Sequence, residues 1–255
     1  LKVTLIKKNP KALDSWKKLQ SNFKNLSQKK LADYFTEDPN RVENLSIIWK
    51  SFYVDYSKNL IDNSTLELLV KLAKESGLKK AISSYFEGEK INETEDRAVL
   101  HTALRQILPA PVIFEGKDVV PDISKVNDKM FSFANQVISG EWKGYSGKPI
   151  SHIVNIGIGG SDLGPAMVTE ALEYYKNHLA ITFISNIEGD HVEEVIKKIN
   201  PETTLFIIVS KSFTTQETLS NANTIRKWFL IHAPESAISQ QFIAVSANLK
   251  KVTTF

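Results

Sequence analysis

The chain has 255 residues, 42% of them hydrophobic and 24% charged, with a formal net charge of +3 and no cysteine. That composition can bury a sizeable core and argues against disorder, a disulfide framework and thiolate chemistry. The small net charge gives no reason to expect a nucleic-acid or membrane-surface protein, and no apolar run approaches the roughly 20 residues that span a bilayer.

The opening stretch LKVTLIKKNPKALDSW lacks a signal-peptide layout, because charges follow a few apolar residues at once. A cytoplasmic protein is expected. Leu1 rather than Met opens the chain and VTTF closes it without a terminating signal, so further sequence is expected on either side. Residues 1–120 read as a mainly helical segment. Leu13, Trp16, Phe23 and Leu26 fall near one helical face, and Leu66, Leu69, Val70 and Ala73 do so within 63–77, where Gly77 is a stop. Between them NLSIIWKSFYVDYSK (44–58) is β-branched and aromatic and predicts a short hairpin. NETEDRAVLHTALRQILPAP (92–111) opens on capping residues, aligns Leu100, Ala103, Leu104, Ile107 and Leu108, and ends at Pro109 and Pro111. A helix there would also stack Arg97, His101 and Arg105, most simply as a solvated basic stripe. A further helix is predicted over 123–140.

From residue 121 a second domain is expected, and at about Ser151 the rhythm changes. HIVNI (152–156), AITFISN (180–186), TLFIIV (204–209) and FIAVSAN (242–248) read as short buried strands alternating with helices. That pattern is an α/β fold with a parallel sheet flanked by helices, whose ligands bind at the strands' carboxyl ends.

Two strand-to-helix loops could hold an anion there. GIGGSDLGP (157–165) has four glycines and Pro165 placed for the first turn of a helix, whose N-terminus favours phosphate. Gly157 and Gly159 fit a dinucleotide fingerprint that fails at Asp162. Gly159 and Gly164 fit a P-loop in which Pro165 takes the lysine's place, so neither NAD nor ATP is supported. A plain tight turn explains this loop equally well. The second loop, SKSFTTQE (210–217), carries four hydroxyls and Lys211. Thr214 and Glu217 have capping-box spacing, which explains part of the polarity. Ser210, Lys211, Ser212 and Thr215 remain, and a phosphate would use all four. The histidines are scattered without metal-ligand spacing.

NIGIGGSDLGP and SKSFTTQET closely resemble the two signatures of the glucose-6-phosphate isomerase (phosphoglucose isomerase) family. ETEDRAVLHTALR, GYSGKPI, FISNIEGDH and VDYSKN resemble other segments of it, in order along the chain. The resemblance implies the N-terminal segment plus the first of two sugar-isomerase (SIS) domains, with Rossmann-like layers, and a homodimer that needs no metal or other cofactor. It implies reversible isomerisation of glucose 6-phosphate and fructose 6-phosphate through ring opening and a cis-enediol. Ser210, Lys211, Ser212 and Thr215 would bind the substrate phosphate, with Gly160 and Ser161 beside the sugar. Thr214, Gln216 and Glu217 are weaker candidates, Glu217 as a helix cap rather than a base. The family usually has threonine at the position of Ser212, and a hydroxyl is retained. The resemblance puts the catalytic glutamate, the ring-opening histidine and lysine and an enediol arginine beyond Phe255, so no catalytic residue is expected within the chain. The competing reading is a non-catalytic sugar-phosphate-binding module, against which the helical N-terminal segment argues.

Overall fold

A computed structural model describes residues 5, 8–107 and 110–255. The chain divides into two compact units, Leu1–Lys125 and Val126–Phe255.

In the first unit, α1 (Asp14–Leu26) pairs with α4 (Asn63–Glu75), and α2 (Leu31–Glu37) and α3 (Arg41–Asn44) lie between them in sequence. Ser15 is buried and donates Oγ–H to Glu75 Oε2 at 2.6 Å, which fastens α1 to α4. On the expected apolar face of α1, Phe23 stays 68% exposed. Asp62 caps α4 by accepting from Thr65 N, and Gly77 ends it in the left-handed region at φ 76°. The predicted hairpin forms, with β1 (Ser46–Trp49) antiparallel to β2 (Phe52–Asp55). The Arg41 guanidinium is buried and bonds the carbonyls of Ser57, Asn59 and Ile61, which ties the chain after the hairpin to α3. α5 (Leu78–Phe86) follows.

The helix expected over 92–111 does not form. α6 (His101–Leu104) is a single turn. Asn92 Oδ1 instead accepts from Thr94 Oγ1 and Glu95 N, Asn92 bridges to Arg97, and Asp96 lies at φ 49°. Side chains that cap helices also stabilise turns, and here the turn wins. Leu104 and Ile107 are therefore exposed, and Arg97 does not stack with His101 and Arg105. Leu108 and Pro109 lie outside the described residues. A small ribbon follows, β3 (Ile113–Phe114) with β4 (Lys117–Asp118).

The division between units falls within α7 (Val120–Ser139), which starts earlier than predicted. In the second unit β5 (His152–Ile156), β6 (Ala180–Ile184), β7 (Thr204–Val209) and β8 (Phe242–Val245) form one parallel sheet in the order β6-β5-β7-β8. Both faces are covered, as the near-continuous apolar strands require. One face packs Val154, Ile156, Phe206 and Ile208 with Val192 of α9 (Gly189–Ile196) and Ile225 and Phe229 of α10 (Gln216–His232). The other packs Ile153, Leu205 and Ile243 with Phe133 and Val137 of α7. α8 (Leu163–Ala171) follows β5, α11 (Ile238–Gln241) leads into β8, and α12 (Leu249–Val252) comes after it. No described helix is long and apolar enough to cross a membrane.

Candidate functional site

Strand order decides where a ligand can sit. The chain passes from β5 to β6 on one side and then to β7 on the other side of β5. The crevice between the carboxyl ends of β5 and β7 is thus the topological switch point of the sheet. Ile156 and Ile208 are partners in the parallel ladder, so the loops after them, 157–162 and 210–215, leave from neighbouring strands.

The first loop turns at once. Gly157 N donates to Ile184 O at 3.1 Å, and Gly159–Ser161 form one 3-10 turn before α8. A Cβ on Gly157 would lie 2.8 Å from both Ser161 Cβ and Ser161 O, so this glycine is required by the chain folding back on itself. Of the four glycines in the loop only Gly159 takes a positive φ. Asn155, buried on β5, donates Nδ2–H to Ser161 O at 3.1 Å and pins the turn from below. Gly160 is exposed with open space beside its Cα, and Ser161 is half-buried.

The second loop has a buried base and an exposed rim. Ser210 N donates to Val245 O, and the buried Ser210 hydroxyl donates to Thr215 Oγ1 at 3.3 Å. Lys211, Ser212 and Thr214 are exposed. Ser212 and Thr214 share a hydroxyl–hydroxyl hydrogen bond of 2.5 Å. The predicted capping box is absent: the N-cap of α10 is Thr215, one residue later than expected, with no side-chain cap bond. The Thr214 hydroxyl pairs with Ser212 instead, and Phe213 between them sits at φ 51°. Gln216 and Glu217 fall in the first turn of α10, so their N–H groups have no partner within the helix. Hydroxyls and a lysine in the residues just before a helix N-terminus are groups that can hold an anion through charge-assisted bonds.

Sequence reasoning missed the residues that brace these loops. Ser246 Oγ and Ala247 N donate to Lys211 O, and Asn248 Nδ2 donates to Ser212 O. Asn221 of α10 is buried and donates to Asn186 O in the loop after β6. These pairs lie about 35 residues apart in sequence, and no local pattern marks them. Among the described residues no three of His, Asp and Glu gather so as to hold a metal ion.

The sequence model of the family described as phosphoglucose isomerase matches residues 55–255. The chain belongs to the phosphoglucose isomerase family. Similar members include the glucose-6-phosphate isomerase of Christiangramia forsetii, 55% identical over 97% of this chain and 46% of that protein. Another is the glucose-6-phosphate isomerase of Baumannia cicadellinicola, 52% identical over 97% of this chain and 45% of that protein. The crystal structure of a family member, a glucose-6-phosphate isomerase from Chlamydia trachomatis, superposes with a TM-score of 0.78 at 28% identity, covering 94% of this chain and 45% of that one. The family's parallel α/β layers preceded by a helical segment are those described above. The chain spans just under half the length of these phosphoglucose isomerase relatives.

Proposed function

We propose that this chain supplies the phosphate-binding loops of an aldose–ketose isomerase that interconverts glucose 6-phosphate and fructose 6-phosphate. The observation that carries the reading is the placement of both signature loops on neighbouring strands at the switch point, in a chain of this family. Ser210, Lys211, Ser212 and Thr215 take the phosphate, with Thr214, Gln216 and Glu217 around them, and Gly160 and Ser161 lie along the sugar. The base that moves a proton between C2 and C1, and the histidine and lysine that open the ring, are assigned outside residues 1–255, in the part of the relatives' length that this chain does not span. The phosphate itself does not react. Its binding energy holds the reacting carbons against the base, so a remote contact raises the rate. We take the enzyme to be a cytoplasmic homodimer that works without a metal or other cofactor.

The test is a coupled isomerase assay on the protein carrying this chain at the length of its relatives, run in chelator. Activity should be undiminished there. Ser210→Ala, Lys211→Met and Thr215→Ala should each weaken a non-reactive five-carbon sugar-acid phosphate by about 10- to 150-fold, the worth of one hydrogen bond to a charged group. Unchanged affinity in all three would remove the phosphate reading.

A further inference from the structure

Phe213 is the one apolar side chain in 210–217, and the phosphate reading gives it no task. Its backbone lies at φ 51°, a conformation that bulky residues avoid. Yet its side chain is 3% exposed and belongs to the main core of the sheet, while Ser212 and Thr214 on either side are exposed. One side chain thus points inward between two that point outward, and the backbone at the inward one is left-handed. Phe213 N closes that turn on Ser210 O at 3.2 Å, and the ring meets the edge of Phe255 at 5.7 Å between centroids. From the other side, the loop after β8 engages the carbonyls of Lys211 and Ser212. Those carbonyl oxygens would repel an anion, and they are spent on Ser246, Ala247 and Asn248. A buried anchor and an outer clasp thus hold one turn in a strained shape. Strain of this kind persists only where surrounding structure over-determines it.

We propose that Phe213 is a positioning residue for phosphate binding. Its buried ring holds the left-handed turn that sets the hydroxyls and main-chain amides of 210–215 in the arrangement a phosphate monoester meets. This rests on the phosphate reading given above. Phe213→Gly separates the two contributions, since glycine adopts the left-handed conformation freely but leaves no anchor. Phe213→Leu keeps an apolar anchor. Phe229→Leu, in the same core cluster but on α10, serves as the control for lost packing alone.

The experiment measures, in the protein at the length of its relatives, melting temperature, KM and kcat, and affinity for the five-carbon sugar-acid phosphate and for the same acid without phosphate. Phe213→Gly should weaken the phosphorylated ligand by roughly tenfold or more, raise KM more than it lowers kcat, and leave the unphosphorylated acid unaffected. Phe213→Leu should recover most of the loss, and Phe229→Leu should lower the melting temperature without changing the affinity ratio. Equal losses for both ligands, or a Phe229→Leu effect on phosphate affinity matching that of Phe213→Gly, would overturn the proposal. Should the glycine variant not fold, Phe213→Asn, which also tolerates the left-handed conformation and lacks an apolar anchor, takes its place with the same expected and overturning results. If Ser210→Ala, Lys211→Met and Thr215→Ala all leave affinity unchanged, the phosphate reading falls and takes this one with it. If they weaken binding and no Phe213 variant does, only the positioning role falls.

Discussion

At the scale of single residues, the glycines of the first loop separate steric need from openness to a ligand. A methyl on Gly157 would strike Ser161 main chain and side chain at 2.8 Å, and the buried strand beneath leaves little room to yield. Gly157→Ala should cost about 1–3 kcal/mol by overpacking, read as a fall in melting temperature. Gly160 has nothing within 4 Å of the added methyl. Gly160→Ala should leave stability unchanged within about 0.5 kcal/mol. If sugar lies along this loop, the same variant should raise KM, because the methyl enters the space assigned to substrate. A Gly160→Ala protein with unaltered KM would move the sugar away from this position.

At the scale of elements, the sheet is tied together by side chains that sequence patterns do not reveal. Gln241, at the end of α11, is fully buried. Its Nε2 donates to Pro201 O at 2.5 Å and Thr204 O at 2.6 Å, and its Oε1 accepts from Tyr145 N at 3.0 Å. One amide thus joins the start of β7, the turn before it and the GYSGKPI segment. Gln241→Leu removes the partner of one buried and two partly buried main-chain groups and should cost about 2–4 kcal/mol, measurable by denaturant unfolding. At the start of β5, His152 bonds Thr182 Oγ1 on β6 at 2.8 Å, and burial holds its pKa below the ordinary imidazole value of 6.5. The folded state therefore binds fewer protons than the unfolded one as pH falls. The stability carried by the neutral ring is fully present above 6.5 and is lost as pH drops through that value and on through the lower folded-state pKa. Melting temperature followed from about pH 8 to about pH 5 should decline more steeply for the native chain than for His152→Gln. Parallel curves would assign that pH dependence to other groups.

For the whole molecule, the proposed division of labour has a direct consequence. On that proposal residues 1–255 carry the phosphate loops and not the base, so the purified chain should not turn over glucose 6-phosphate. Turnover at a rate near that of a protein of the relatives' length would place the base within these residues. The chain also exposes large apolar groups: Ile48, Trp49 and Phe52 on the hairpin, and Leu163 and Met167 on α8. Clusters of that kind on an isolated protein promote association. Purified alone, the chain should bind a hydrophobic dye and elute larger than its mass of 28.7 kDa, and Trp49→Ser with Phe52→Ser should reduce both effects.

Local chemistry made much of this protein legible. The strands of the sheet are short apolar runs between polar breaks, α4 has its apolar face and terminal glycine, and the hairpin is marked by β-branched and aromatic residues. The two strand-to-helix loops were likewise visible, because glycines and a run of hydroxyls with a lysine follow apolar strands directly. Where the reading went astray, one set of side chains could satisfy two local structures. Asn92, Thr94 and Glu95 could cap a helix or close a turn, and Thr214 could cap α10 or pair with Ser212. Such choices lie within about a kcal/mol of each other locally, and packing elsewhere decides them. Strand order, the switch point between β5 and β7, the burial of Phe213 in the core of the sheet and the clasps from Asn221, Gln241 and Asn248 were settled only by tertiary structure. Each depends on groups far apart in the chain meeting in space, and no window of sequence contains both partners.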